Sequence, residues 1–153
     1  MADKTSSTMT IEAPRQLIMA VIADFAAYPK WATGVRAAEA LETGLDGLAR
    51  RVRFTLDAGL IKDTYVLAYT WQGDERVDWE LAERGTAVSE MSGTYRLEQA
   101  GDATKVTYEL AVGLAIPMIG MLKRRAEKTI IDTALKGLRT RVQVTGGESG
   151  EGR

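Results

Sequence analysis

Residues 117–142, PMIGMLKRRAEKTIIDTALKGLRTRV, form the longest helical pattern in the chain. Ile119, Leu122, Ala126, Ile130, Thr133 and Gly137 follow one another at steps of three or four, and Leu138 extends the stripe. That spacing predicts one face of an α-helix, with Arg124, Arg125, Lys128, Asp132, Lys136 and Arg139 opposite. Pro117 suits the first turn, where a missing N–H costs nothing. Gly146 and Gly147 lie just past the end, and the cations of Lys136, Arg139 and Arg141 suit the closing turns. Such a helix is roughly 35–40 Å long. Its apolar face is too wide to stay in water, so another element has to cover it.

The candidate cover precedes it. Thr5–Ala13 alternates and reads as a strand, with Met9 and Ile11 on one face. Pro14 opens a helix with Leu17, Val21 and Phe25 on its buried side, and Pro29 is expected to break it at Tyr28, with a second short turn over Lys30–Ala32. Beyond Gly34 the period changes to two. Strands are expected over Val35–Glu42, Arg50–Asp57, Ile61–Trp71, Arg76–Ala82, Ala87–Glu98 and Lys105–Val112, separated by Gly-containing turns. Consecutive strands with short turns imply an antiparallel meander, to which the first strand adds. Residues 1–145 are read as a single domain and 146–153, rich in Gly and Glu, as a disordered tail.

Composition narrows the chemistry. The 153 residues suffice for one core, and a net charge of −1 gives no electrostatic case for nucleic acid. There is no Cys and no His, which removes disulfides, thiol nucleophiles, the Ser-His-Asp triad and nearly every zinc site. No metal and no cofactor is therefore expected. The N-terminal residues lack the apolar stretch of a secretory signal, and no apolar run approaches the ~20 residues of a membrane span. A soluble cytoplasmic protein is the expectation.

The β-αα-β6-α order, the Tyr28-Pro29-Lys30-Trp31 corner, the segment Gly93–Leu97 and the segment Ile116–Lys128 resemble the START/Bet v 1-like (SRPBCC) superfamily, in particular an actinobacterial branch of polyketide cyclase/dehydrase-like proteins. The resemblance spans about Lys4 to Val142. It implies an α+β helix-grip fold: a seven-stranded antiparallel sheet curled around the long C-terminal helix, two short helices closing one end. It also implies an apolar cavity between sheet and helix, where family members bind lipids, sterols, quinones or polyketides.

Side chains that suit such a cavity are Phe54, Tyr65, Leu67, Tyr69, Trp79, Met91, Tyr95 and Tyr108, each in phase with aliphatic neighbours on a strand. Trp31 at the corner and Leu122, Ala126 and Ile130 on the helix complete the expected lining. Aromatic walls with a few hydroxyl groups would orient an apolar ligand. Core packing explains any single one of them equally well. Small residues on the helix, Ala126, Thr129, Thr133, Ala134 and Gly137, either pack closely against the aromatics or leave a void.

Other groups are read first as solvent-facing. Arg51 and Arg53 alternate out of phase with Phe54, although cyclase relatives use an Arg or Tyr to orient substrate. Glu39, Asp57, Asp63, Glu90 and Glu109 would serve as acid or base only if one faced the cavity. Lys123, Arg124, Arg125 and Lys128 form a basic cluster that would meet anionic headgroups in a peripheral membrane contact; a solvated face is the preferred reading. The glycines at 44, 47, 146 and 147 match no phosphate-binding fingerprint. No catalytic residue is assigned. The expected function is binding of a hydrophobic small molecule (lipid, isoprenoid, quinone or polyketide) as carrier or chaperone, by a monomer or homodimer. The alternatives are a polyketide cyclase/dehydratase and a protein-interaction module with a vestigial cavity.

Overall fold

Seven strands form one antiparallel sheet in the order β1-β7-β6-β5-β4-β3-β2. The structure, a computed structural model, describes residues 4–58, 61–115 and 120–151. The strands are β1 (Thr5–Ile11), β2 (Val35–Thr43), β3 (Ala49–Ala58), β4 (Ile61–Gln72), β5 (Arg76–Glu83), β6 (Val88–Ala100) and β7 (Ala103–Leu114). Two helices complete the fold, α1 (Arg15–Ala23) and α2 (Gly120–Glu151), with a 3-10 helix over Phe25–Lys30. Neighbouring strands from β2 to β7 follow one another in sequence, and β1 closes the order by pairing with β7. This is the helix-grip, Bet v 1-like architecture.

The period-two pattern determines which side chains meet. Phe54 stands opposite Tyr65, Tyr69 opposite Trp79, and Tyr95 opposite Tyr108 in the register. Because each strand alternates its faces, these pairs lie on one side of the sheet. The other side carries the charges: Arg51 pairs with Glu83, Arg53 with Glu39, and Arg96 with Glu109 through two bonds of 3.0 Å. Burial of the aromatic side supplies the main driving force, since each fully buried large apolar side chain stabilises by roughly 1.5–3 kcal/mol.

Two expectations about the helices need correction. The first helix ends at Asp24, whose φ of −87° and ψ of 76° leave helical space, and not at Tyr28. The second short helix is the 3-10 segment Phe25–Lys30, which contains Pro29. Its i→i+3 bonds, such as Ala27 N–H to the Asp24 carbonyl at 3.2 Å, tolerate the proline's missing N–H over so short a run. The buried face of α1 is Ile18, Met19, Val21 and Ile22, and Leu17 is only half-buried.

The second correction concerns α2, which packs on α1, β1 and β7. Its buried stripe is Glu127, Ile131, Leu135, Leu138 and Val142. Ala126 is exposed and Ile130 is 46% exposed, so the predicted face is turned from the core over these residues, whereas Gly137 lies against the Trp31 carbonyl and Leu138 is buried as expected. A carboxylate decides the rotation. Glu127 accepts a hydrogen bond from Thr5 Oγ1 at 2.7 Å and from the Val112 N–H at 2.8 Å, tying α2 to β1 and β7. α2 extends to Glu151. Ile119 and the side chains of Leu122 and Lys123 fall outside the described residues.

Candidate functional site

The inner face of the sheet gathers aromatic rings from five strands, β3 to β7, and from the 3-10 helix. Trp79 is the hub. Its ring centroid lies 5.8 Å from Tyr69, 5.4 Å from Tyr95 and 5.6 Å from Tyr108. Tyr95 and Tyr108 are closer still, at 4.5 Å. Phe54 stacks on Tyr65 at 6.0 Å, and Phe25 from the 3-10 helix reaches Tyr69 at 4.9 Å. Trp31 joins through Tyr28, 4.7 Å away.

Of the sequence-predicted residues, Trp31, Phe54, Tyr65, Leu67, Tyr69, Trp79, Tyr95 and Tyr108 all belong to this buried cluster and keep at most 8% exposure. Met91 packs at its margin, half-buried. Ala126 and Ile130 stand at the surface, off the stripe by which α2 meets the core. The side chain of Leu122 is outside the described residues. Phe25, expected on a buried helix face, joins the lining unforeseen, and Tyr28 and Glu127 were not anticipated in this interior. Trp71 shared the phase of Tyr65 and Tyr69, and it packs at the margin.

Polar atoms inside the cluster divide into three kinds. Tyr28 and Trp71 are satisfied: the Tyr28 hydroxyl donates to the Ile22 carbonyl at 2.6 Å, and Trp71 Nε1 donates to the Ala49 carbonyl at 2.8 Å. Trp31 Nε1 is sealed from solvent and has no partner among the described residues. The hydroxyls of Tyr65, Tyr69, Tyr95 and Tyr108 have no hydrogen-bond partner among the described residues either, yet they are not among the sealed atoms. Their rings are buried in the cluster, so four hydroxyls stand among apolar groups with no protein partner among the described residues. Unpartnered donors in a buried setting cost about 1–3 kcal/mol each unless water or a ligand meets them.

The tyrosines stay protonated. Burial pushes the Tyr65, Tyr69, Tyr95 and Tyr108 hydroxyls well above the usual phenol range. They also affect one another. After burial, the charge that Tyr108 would carry if ionised raises Tyr69 and Tyr95 further. Such hydroxyls orient a ligand by hydrogen bonds and are poor proton acceptors.

The candidate carboxylates lie elsewhere. Glu39 and Asp57 pair with Arg53 and Arg36, Glu109 with Arg96, and Glu90 is exposed. Asp63 is buried, and its carboxylate accepts from the backbone N–H groups of Thr64, Thr86, Ala87 and Val88 at 2.8–3.1 Å. It ties the β5–β6 connection to β4. Two surface clefts, of about 480 and 360 Å³, sit by Asp57 and Lys62 and by Phe25 and Ala38. Neither is lined by the four tyrosines. Among the described residues no group of acidic side chains is arranged to hold a metal ion.

The family is decided by sequence. Residues 2–143 match the model of the polyketide cyclase / dehydrase and lipid transport family. The chain belongs to that family. Solved structures agree in fold. A START superfamily protein from Mycobacterium smegmatis superposes with a TM-score of 0.86 at 20% identity, covering 93% of this chain and 98% of its own. The Zhui aromatase/cyclase from Streptomyces sp. R1128 gives 0.75 at 16% identity, with 94% of each chain covered. Ara h 8.0201 gives 0.69 at 14% identity, over 94% of this chain and 99% of that one. At these identities the likeness establishes the fold alone. No curated protein matches the chain. Among the described residues no helix is long and apolar enough to cross a membrane.

Proposed function

We propose that this family member binds a hydrophobic small molecule, such as a lipid, isoprenoid, quinone or polyketide, inside the aromatic shell, and acts as its carrier or chaperone in the cytoplasm. The observation that carries the reading is the set of four tyrosine hydroxyls that lie in one buried aromatic cluster and have no hydrogen-bond partner among the described residues. A core selected for packing alone gains nothing from them, since phenylalanine fills the same volume without an orphaned donor. A ligand that meets the hydroxyls accounts for all four at once. The cysteine-free chain needs no oxidising compartment.

The chemistry supports a carrier over a cyclase or dehydratase. The tyrosines are held neutral by burial, and the candidate carboxylates are ion-paired, exposed or bound to backbone N–H groups. That leaves no described side chain poised to accept a proton within the shell. A cyclase would have to work by shaping a flexible chain, an entropic contribution.

The test is mass spectrometry of the purified protein under native conditions, then after organic extraction. The expected result is one apolar molecule per chain, lost or reduced in Trp79→Ala and Tyr95→Ala variants that remain folded. A cyclised product bound where a linear precursor was supplied would favour the cyclase reading. An empty protein that also fails to take up the neutral probe N-phenyl-1-naphthylamine would overturn both.

A further inference from the structure

We infer that the interior selects a neutral molecule bearing acceptor oxygens on an apolar frame, with Tyr95 and Tyr108 as the pair that fixes those oxygens. The inference rests on the proposed binding function and deepens it. Three observations carry it. First, the rings of Tyr95 and Tyr108 are directly opposed across β6 and β7, with centroids 4.5 Å apart, and neither hydroxyl has a partner among the described residues. A hydrocarbon would cover these hydroxyls and leave them unmet, which costs affinity; a carbonyl or ether oxygen would accept from them.

Second, Trp79 spans the space between Tyr69 and this pair, so the frame that carries the oxygens lies against an indole face. Flat unsaturated frames suit that wall.

Third, four described arginines of the central strands turn their charge to the other face, and Arg36 and Arg50 are held by Asp57 and Asp46. Arg51, Arg53, Arg76 and Arg96 all pair with acidic side chains there. An ionised carboxylate brought into the shell would lose its water and meet phenol hydroxyls in place of a cation. The two acidic side chains that are buried among the described residues, Asp63 and Glu127, accept hydrogen bonds from the backbone of β6 and β7 and attract no anion.

Equilibrium dialysis against three molecules of one frame tests this: 1,4-naphthoquinone, naphthalene and 2-naphthoate. The chain has no Cys, so thiol addition to the quinone does not interfere. Naphthoquinone is expected to bind at least about tenfold more tightly than naphthalene, the worth of one to two neutral hydrogen bonds. Naphthoate is expected to bind more weakly than both. In the Tyr95→Phe/Tyr108→Phe double variant, which keeps both rings, the advantage of the quinone should vanish while naphthalene is unaffected. Equal binding of quinone and naphthalene, or naphthoate bound as tightly as the quinone, overturns the selectivity and leaves the binding function standing. Retention of none of the three, with no molecule seen by native mass spectrometry, removes the binding function and this inference with it.

Discussion

Trp79 and Gly93 face each other across β5 and β6, and the indole occupies the volume that a side chain at 93 would need. A Cβ added to Gly93 would stand 2.2 Å from Trp79 Cζ2. The hub of the aromatic shell thus depends on a residue with no side chain. Gly93→Ala should push the indole off its position and cost about 1–3 kcal/mol, the usual penalty for overpacking. Urea denaturation and the tryptophan emission maximum would report it. An unchanged unfolding midpoint with an unchanged emission spectrum would show that the ring has room to spare.

A buried carboxylate holds the long helix to the sheet. Glu127 accepts from Thr5 Oγ1 and the Val112 N–H. Replacing it with alanine strands both donors, and a loss of about 2–4 kcal/mol is expected; glutamine, which keeps one acceptor oxygen, should lose less. Hydrogen exchange gives a local readout: the Val112 amide should lose protection in Glu127→Ala. Protection equal to wild type would mean that this bond does not anchor α2.

That carboxylate also marks where the sequence stopped being readable. The strands were legible because Tyr65, Leu67 and Tyr69, or Val106, Tyr108 and Leu110, alternate with polar residues and are bounded by glycine turns such as Gly73 and Gly101, both at positive φ. Their shared phase also brought most of the shell into view. On the helix the predicted stripe of Ala126, Ile130, Thr133, Gly137 and Leu138 has a neighbour of the same spacing, Ile131, Leu135 and Val142, which is the one buried and which shares Leu138 with it. Periodicity cannot choose between them. The choice rests on Glu127, which reads as a surface charge until Thr5 and Val112, distant in the chain, supply its donors. The unpartnered state of the tyrosine hydroxyls is likewise a property of packing in three dimensions, invisible in the order of residues.

Acid should expose the role of Asp63. Burial alone would raise its pKa, but N–H bonds from Val88, Thr86, Ala87 and Thr64 outweigh it, and the carboxyl sits below the usual range. A group depressed in the folded state adds stability that is fully present above its unfolded value, about 3.9, and is lost as pH falls through the folded value. The stability gap between wild type and Asp63→Asn should therefore be widest at neutral pH and shrink below about pH 4. Urea midpoints at a series of pH values measure this. A gap that stays constant down to about pH 2 would assign the effect of the substitution to shape alone.

The contact between α2 and the 3-10 corner turns on a second glycine. A Cβ at Gly137 would lie 2.3 Å from the Trp31 carbonyl oxygen. The obstacle is backbone, held in turn by the Trp31 N–H bond to the Tyr28 carbonyl at 3.0 Å, so it cannot rotate aside as a flexible side chain would. Intrinsic propensity predicts that Gly137→Ala stabilises α2 by about 1 kcal/mol. The close approach predicts the opposite sign, a net loss of about 1–3 kcal/mol with displacement of Trp31 from Tyr28. Thermal unfolding and tryptophan emission separate the two. A variant as stable as wild type, or more so, would mean that the corner yields to the added methyl and that Trp31 is not fixed by the helix it touches.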